Sequence, residues 1–299
     1  MEKKIIFTGV GTALITPFSD GEIDYGEFGR LIDRQIAAGV DAIIIGGTTG
    51  EAATLSDRER YSLFEFAHER VGKRAKLVLG TGTNDTRVAK IHTKRAEQVG
   101  CDGVLLVTPY YNKGTDEGIV RHYLSIAEST SLPIMLYNVP SRTGVNLGLG
   151  ILERLVRQEN IVAIKEAADS AERLTELCGF GDALRLYAGN DSSFFSVLAL
   201  GGAGVVSVAS NAVPRAMGKI FAAYEAGLIE ESRRTQIALM PLIKALFAET
   251  NPAPIKALMA ARGLIGSEEI RLPLSAARDT TRRALADAMD GLEILGLDR

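Results

Sequence analysis

At 299 residues, with 46% hydrophobic and 24% charged side chains and a formal net charge of -3, the chain has the makeup of a globular protein able to bury a large core. The near balance of charge leaves no basic stripe and no acidic tail. No apolar run approaches the ~20 residues of a membrane span, so neither nucleic acid nor membrane is an expected partner.

The opening MEKKIIFTGVGTALITPF is basic and apolar, but Gly9, Gly11, Thr12 and Pro17 interrupt it, so it reads as a first strand rather than a leader. Short apolar runs then recur at 11–17, 41–47, 76–82, 102–109, 133–140, 161–167, 184–190 and 204–210, giving eight strand candidates. Between the early ones, 25–39, 57–72 and 86–100 carry apolar residues at three- and four-residue spacing and close on a glycine, as helices do. An open doubly wound sheet could be built this way. Eight nearly even repeats over about 225 residues fit the closed (β/α)₈ TIM barrel better, and no linker-like tract interrupts them. After Gly227 the segments 228–249, 252–264 and 275–296 read as helices with no strand between them. The expectation is an α/β protein with a barrel at 1–226 and a C-terminal three-helix appendage at 227–299.

Cys101 and Cys178 have no metal or redox spacing and read as reduced thiols, which together with the absent leader points to a cytoplasmic protein. His68, His92 and His122 lie far apart in helical patterns and read as surface or helix-packing residues.

The unusual polar residues fall at the C-terminal ends of the strands, which in this barrel make up the rim where active sites are built. Strand two runs into GGTTGEAATL, where Gly46, Gly47 and Gly50 let a ligand approach the backbone and Thr48 and Thr49 offer hydroxyls. Strand four ends in TPYYNKG, strand five in YNVPSRTG, strand seven in GND and strand eight in SVAS. Strand six, in NIVAIKEAADS (160–170), carries a lysine: Ile161, Ala163 and Lys165 alternate with Val162, Ile164 and Glu166 in a strand buried on both faces. Burial lowers a lysine pKa and leaves a nucleophilic amine. In the duller alternative Lys165 snorkels out or pairs with Glu166. Each neighbour also has a plain reading. The glycine loop can be a tight turn, Tyr110 and Tyr111 rim packing, Tyr137 a core aromatic, and Arg142 a surface ion-pair partner. Their shared rim favours the chemical one. An amine at Lys165 can convert a ketone to an iminium ion and then an enamine. Tyr137, with Thr48 and a second tyrosine, can move the protons, and Arg142 suits a carboxylate.

In order and spacing, GGTTGEAATL, TPYYNKG, YNVPSRTG, IKEA, AGND and the late ETNPAPIKALM…LPL resemble the dihydrodipicolinate synthase family, within the larger N-acetylneuraminate lyase superfamily. The resemblance covers essentially the whole chain. It implies that Lys165 forms a Schiff base with pyruvate and that Tyr137, Thr48 and Tyr111 form a proton relay. Thr49 and Val206 then contact pyruvate, Gly189 lines the pocket, and Arg142 holds the carboxylate of L-aspartate 4-semialdehyde. It further implies condensation to 4-hydroxy-tetrahydrodipicolinate, the committed step of diaminopimelate and lysine synthesis, with no metal or organic cofactor. The family places the second paired tyrosine in a neighbouring subunit, so a homotetramer built as a dimer of dimers is expected. Two departures stand out. Gly114 replaces the usual proline after YYNK. Arg60 and Val88 stand where lysine-inhibited members carry a histidine and a glutamate, which implies weak feedback by lysine or none. Three rivals remain: a sugar-acid aldolase on the same barrel, a pyridoxal-phosphate barrel, and a keto-acid sensor that has lost catalysis.

Overall fold

A computed structural model describes residues 3–168 and 170–298. Eight strands form the barrel: β1 (Gly9–Ala13), β2 (Ala42–Ile45), β3 (Lys76–Gly80), β4 (Gly103–Val107), β5 (Ile134–Asn138), β6 (Ile161–Glu166), β7 (Arg185–Ala188) and β8 (Gly204–Ser207). They are parallel and belong to a closed (β/α)₈ barrel. Almost every strand residue is buried, on both faces. This is why the runs read as continuously apolar rather than alternating.

The helices are α1 (Tyr25–Ala37), α2 (Asp57–Val71), α3 (Thr86–Val99), α4 (Asp116–Ala127), α5 (Leu149–Leu155), α6 (Ala171–Cys178), α7 (Phe194–Ala199) and α8 (Pro214–Glu225). Their ends follow from side-chain chemistry. Asp24 accepts from the Glu27 N–H at 2.8 Å, Ser56 and Glu59 make a reciprocal capping box, and Gly72 and Gly100 close α2 and α3 with φ of 56° and 90°. Three helices follow: α9 (Ile229–Leu246), α10 (Ala253–Ala261) and α11 (Asp279–Ile294), with α9 packed on α8 and α11. Among the described residues no helix is long and apolar enough to cross a membrane.

The chain divides into two compact units. One joins the segment ending at Thr8 to Lys76–Val206, and the other joins Gly9–Ala75 to the stretch from Ser207 onward. Within the second, the first strand ends at Ala13, earlier than its sequence run suggests. The chain then forms a small antiparallel hairpin, Phe18–Ser19 with Glu22–Ile23, over Asp20 and Gly21, both at positive φ. Cys101 and Cys178 are free thiols, His68 is exposed, and His92 and His122 are buried residues of α3 and α4.

In the same unit Arg271 fastens the segment beyond α10 to α2. Its guanidinium donates to the Thr54 and Gly21 carbonyls at 3.1 and 2.7 Å and lies 2.5 Å from Glu59. The Arg271 hydrogen bond holds the Glu59 carboxyl down to about 2, against its ordinary 4.5. A carboxylate with a lowered folded-state pKa stabilises above its unfolded value and loses that contribution as pH falls through the folded one. Melting curves of the parent and Glu59→Gln should therefore differ most above pH 4.5 and converge as pH approaches about 2. A gap that persists unchanged into acid would contradict the assignment.

Candidate active site

Tyr137 on β5 and Lys165 on β6 are partners in the strand register, so both side chains leave the sheet on the same face. The Lys165 Nζ stands 4.1 Å from the centre of the Tyr137 ring, and the two residues are 6% and 7% exposed. A cation over a ring face is attracted by the ring quadrupole. The following residues, Asn138 and Glu166, are also register partners, and strand alternation sends them to the opposite face.

There Glu166 meets Arg173 of α6, with Nε 3.1 Å from Oε2, and takes hydrogen bonds from Asn138 Nδ2 at 2.8 Å and from the Ala168 N–H at 2.8 Å. The alternative in which Glu166 pairs with Lys165 is thus overturned: alternation separates the two charges onto opposite faces. Burial pushes the Glu166 carboxyl above the ordinary range, opposed by the Ala168 hydrogen bond and the Arg173 charge.

The YNVPSRTG stretch leaves β5 through a single helical turn, Pro140–Thr143, which ends at Gly144 with φ of 67°. Arg142 lies exposed on that turn. The loop returns to the strand where Asn138 Oδ1 accepts from the Leu147 N–H at 3.1 Å and Arg173 Nη2 donates to the Leu147 carbonyl at 2.6 Å. Beyond β4, Tyr111 is 89% exposed with φ of 70°, a left-handed conformation that bulky residues rarely adopt. Nearby Gly114 has negative φ, and a Cβ there would make ordinary contact with Ile119 at 3.7 Å, so no steric demand accounts for the glycine. Gly189 is different. A Cβ there would sit 2.6 Å from the Glu166 carbonyl oxygen, which its own N–H already binds at 2.7 Å. Val206 is buried in β8.

In the other unit, Gly46 turns the chain out of β2 with φ of 72°, and a Cβ on Gly50 would stand 3.1 Å from the Leu14 carbonyl oxygen, tighter than ordinary contact. Thr48 is half-buried, and its carbonyl accepts from the Glu51 N–H at 3.0 Å. Thr49 is buried, with its hydroxyl accepting from Asn251 Nδ2 at 2.9 Å. Glu51 and Lys256 form a fully buried ion pair at 2.5 Å. Glu51 also accepts from the Arg271 N–H at 3.0 Å, and Lys256 also donates to the Glu269 carbonyl at 2.6 Å. The glycine-threonine loop is therefore held from beneath by the segment running from Asn251 through α10 to Arg271.

Sequence reasoning named the loop but missed Glu51, Asn251 and Lys256, although NPAPIK lay inside a quoted motif. It also missed Asn138 and Arg173. Arg60 on α2 donates to the Ala52 carbonyl at 2.7 Å, and Val88 sits partly exposed in the first turn of α3.

The chain matches the model of the Dihydrodipicolinate synthetase family over residues 6–291. It is 45% identical over 276 residues to the 4-hydroxy-tetrahydrodipicolinate synthase of Acetivibrio thermocellus, covering 91% of this chain and 93% of that one. Among solved structures, the dihydrodipicolinate synthase of Thermotoga maritima superposes with a TM-score of 0.94 at 41% identity, covering 98% of this chain and 100% of that one. A monomeric dihydrodipicolinate synthase variant does so with a TM-score of 0.93 at 41% identity, covering 98% of each chain.

Proposed function

Because the chain belongs to the dihydrodipicolinate synthetase family, we propose that it condenses pyruvate with L-aspartate 4-semialdehyde to 4-hydroxy-tetrahydrodipicolinate and water. The observation that carries this reading is the Lys165 amine facing inward against the Tyr137 ring, with no carboxylate in ion-pair reach of its Nζ among the described residues. The uncharged amine adds to the pyruvate ketone, and loss of one water leaves an iminium ion between substrate and Lys165. The iminium withdraws electrons from the methyl carbon, which gives up a proton and becomes an enamine nucleophile. That carbon bonds to the aldehyde carbon of the second substrate. The substrate's own amine then displaces Lys165 from the imine carbon, closing the ring and freeing the enzyme. Tyr137, whose ring centre lies 4.1 Å from the reacting nitrogen, carries the protons, with Thr48 and Tyr111 completing the relay.

Thr49 and Val206 are assigned to pyruvate, Gly189 to the pocket wall and Arg142 to the aldehyde's carboxylate, where a planar fork of donors fits two oxygens. A phenol as exposed as Tyr111, on strained backbone, supports a homodimer in which it completes a partner's site, within a homotetramer. The fold itself does not require association, since the chain matches a monomeric variant closely. The enzyme works in the cytoplasm without a metal or organic cofactor. Lysine does not inhibit it appreciably, because Val88 cannot accept a hydrogen bond from an ammonium and Arg60 repels one.

A coupled assay should show turnover with pyruvate and aspartate semialdehyde, none with pyruvate and N-acetylmannosamine, and no loss of rate at micromolar lysine. The reverse preference would make the protein a sugar-acid aldolase, and strong inhibition would refute the insensitivity.

A further inference from the structure

The outward-facing polar cluster behind the reactive pair has no part in the chemistry above, yet it is buried and densely hydrogen-bonded. Glu166 is wholly buried and both its oxygens are engaged: Oε1 by Asn138 Nδ2 and the Ala168 N–H at 2.8 Å each, Oε2 by Arg173 Nε at 3.1 Å and Asn138 Nδ2 at 3.0 Å. The remaining arms of Asn138 and Arg173 go to one place. Asn138 Oδ1 accepts from the Leu147 N–H at 3.1 Å, Arg173 Nη2 donates to the Leu147 carbonyl at 2.6 Å, and Asn138 Nδ2 donates to Asn146 Oδ1 at 2.7 Å. The Leu147 N–H is thereby tied to the C-terminal end of β5, from which its loop departed, and its carbonyl to α6, and Arg142 lies within the ring so closed. Apolar residues of similar volume would serve folding as well as a buried ion pair does. They could not hold a loop by its backbone.

We propose that Glu166, Asn138 and Arg173 are positioning residues. They brace the Arg142 loop against the strands that carry Tyr137 and Lys165, and so govern capture of the carboxylate-bearing aldehyde while leaving attachment of the keto acid untouched. The proposal rests on the function assigned above. It follows from the connectivity: Lys165 and Tyr137 are set by backbone register on β5 and β6, which survives loss of the cluster, whereas the returning end of the Arg142 loop, at Asn146 and Leu147, is held by the cluster's hydrogen bonds.

The test compares Asn138→Ala and Arg173→Lys with the parent in steady-state kinetics and in borohydride trapping of pyruvate on Lys165. Lysine keeps the charge of Arg173 but cannot reach Glu166 and Leu147 together, so it reads the brace even where a neutral replacement fails to fold. The expected result is a KM for aspartate semialdehyde raised about tenfold or more, with the KM for pyruvate and the trapping rate within about twofold of the parent. The brace is refuted if both KM values rise together, or if only the melting temperature falls. A parent that traps pyruvate but turns over no aspartate semialdehyde refutes the function itself. A parent that turns it over alongside kinetically unchanged variants refutes the brace alone.

Discussion

Lys165→Ala should lower turnover on the order of 10⁴-fold or more and abolish the pyruvyl adduct that borohydride fixes on the parent enzyme. Removing a covalent nucleophile removes the whole stepwise route, so the loss exceeds the 10²–10⁴-fold typical of deleting a proton carrier. The fold gives this experiment an internal control. Lys256 is more deeply buried than Lys165, but its ammonium is committed to Glu51 and the Glu269 carbonyl. Peptide mapping should find the adduct on Lys165 and none on Lys256. An adduct on Lys256 or any other lysine would remove the basis of the mechanism.

The second large effect concerns stability. Lys256→Met should cost about 3–5 kcal/mol, because it strands the Glu51 carboxylate in a site from which water is excluded. The double variant Glu51→Gln with Lys256→Met should recover a substantial part of that loss, since the cost lies in the unpaired charge and not in the missing attraction. Denaturant titration of the parent, each single variant (Lys256→Met and Glu51→Gln) and the double variant reads both quantities. A single-variant cost under about 1 kcal/mol would mean that the pair is hydrated and that the glycine-threonine loop does not lean on it.

The eight strands were legible because two-sided burial turns each into an uninterrupted apolar run, and helix ends were legible from closing glycines such as Gly72 and Gly100, whose positive φ is a local demand. Lys165 and Tyr137 were legible for the same reason: a charge and a phenol within such runs have nowhere to point but inward or outward, and alternation chooses. The supports were not. Thr49 is held by Asn251 and Glu51 by Lys256 across some two hundred residues, and no local pattern ties a threonine loop to a distant helix. Glu166 misled for a subtler reason. Adjacent to Lys165 in sequence, it invited pairing, whereas its partner came from α6 through packing that only the folded chain supplies. The Asp20-Gly21 hairpin was written plainly in local turn chemistry and went unnoticed because its strands are only two residues long.

The register of β5 against β6 has a further consequence for how this chain can change over time. Tyr137 faces Lys165 and Asn138 faces Glu166, so inserting or deleting one residue upstream in β6 would exchange that strand's two faces. The inward face would acquire an anion in place of its amine, an environment hostile to any keto acid, and the helical shell would inherit a stranded cation. Point substitution is therefore an open route for divergence here, whereas a shift in reading of the strands would invert the polarity of the interior in a single step.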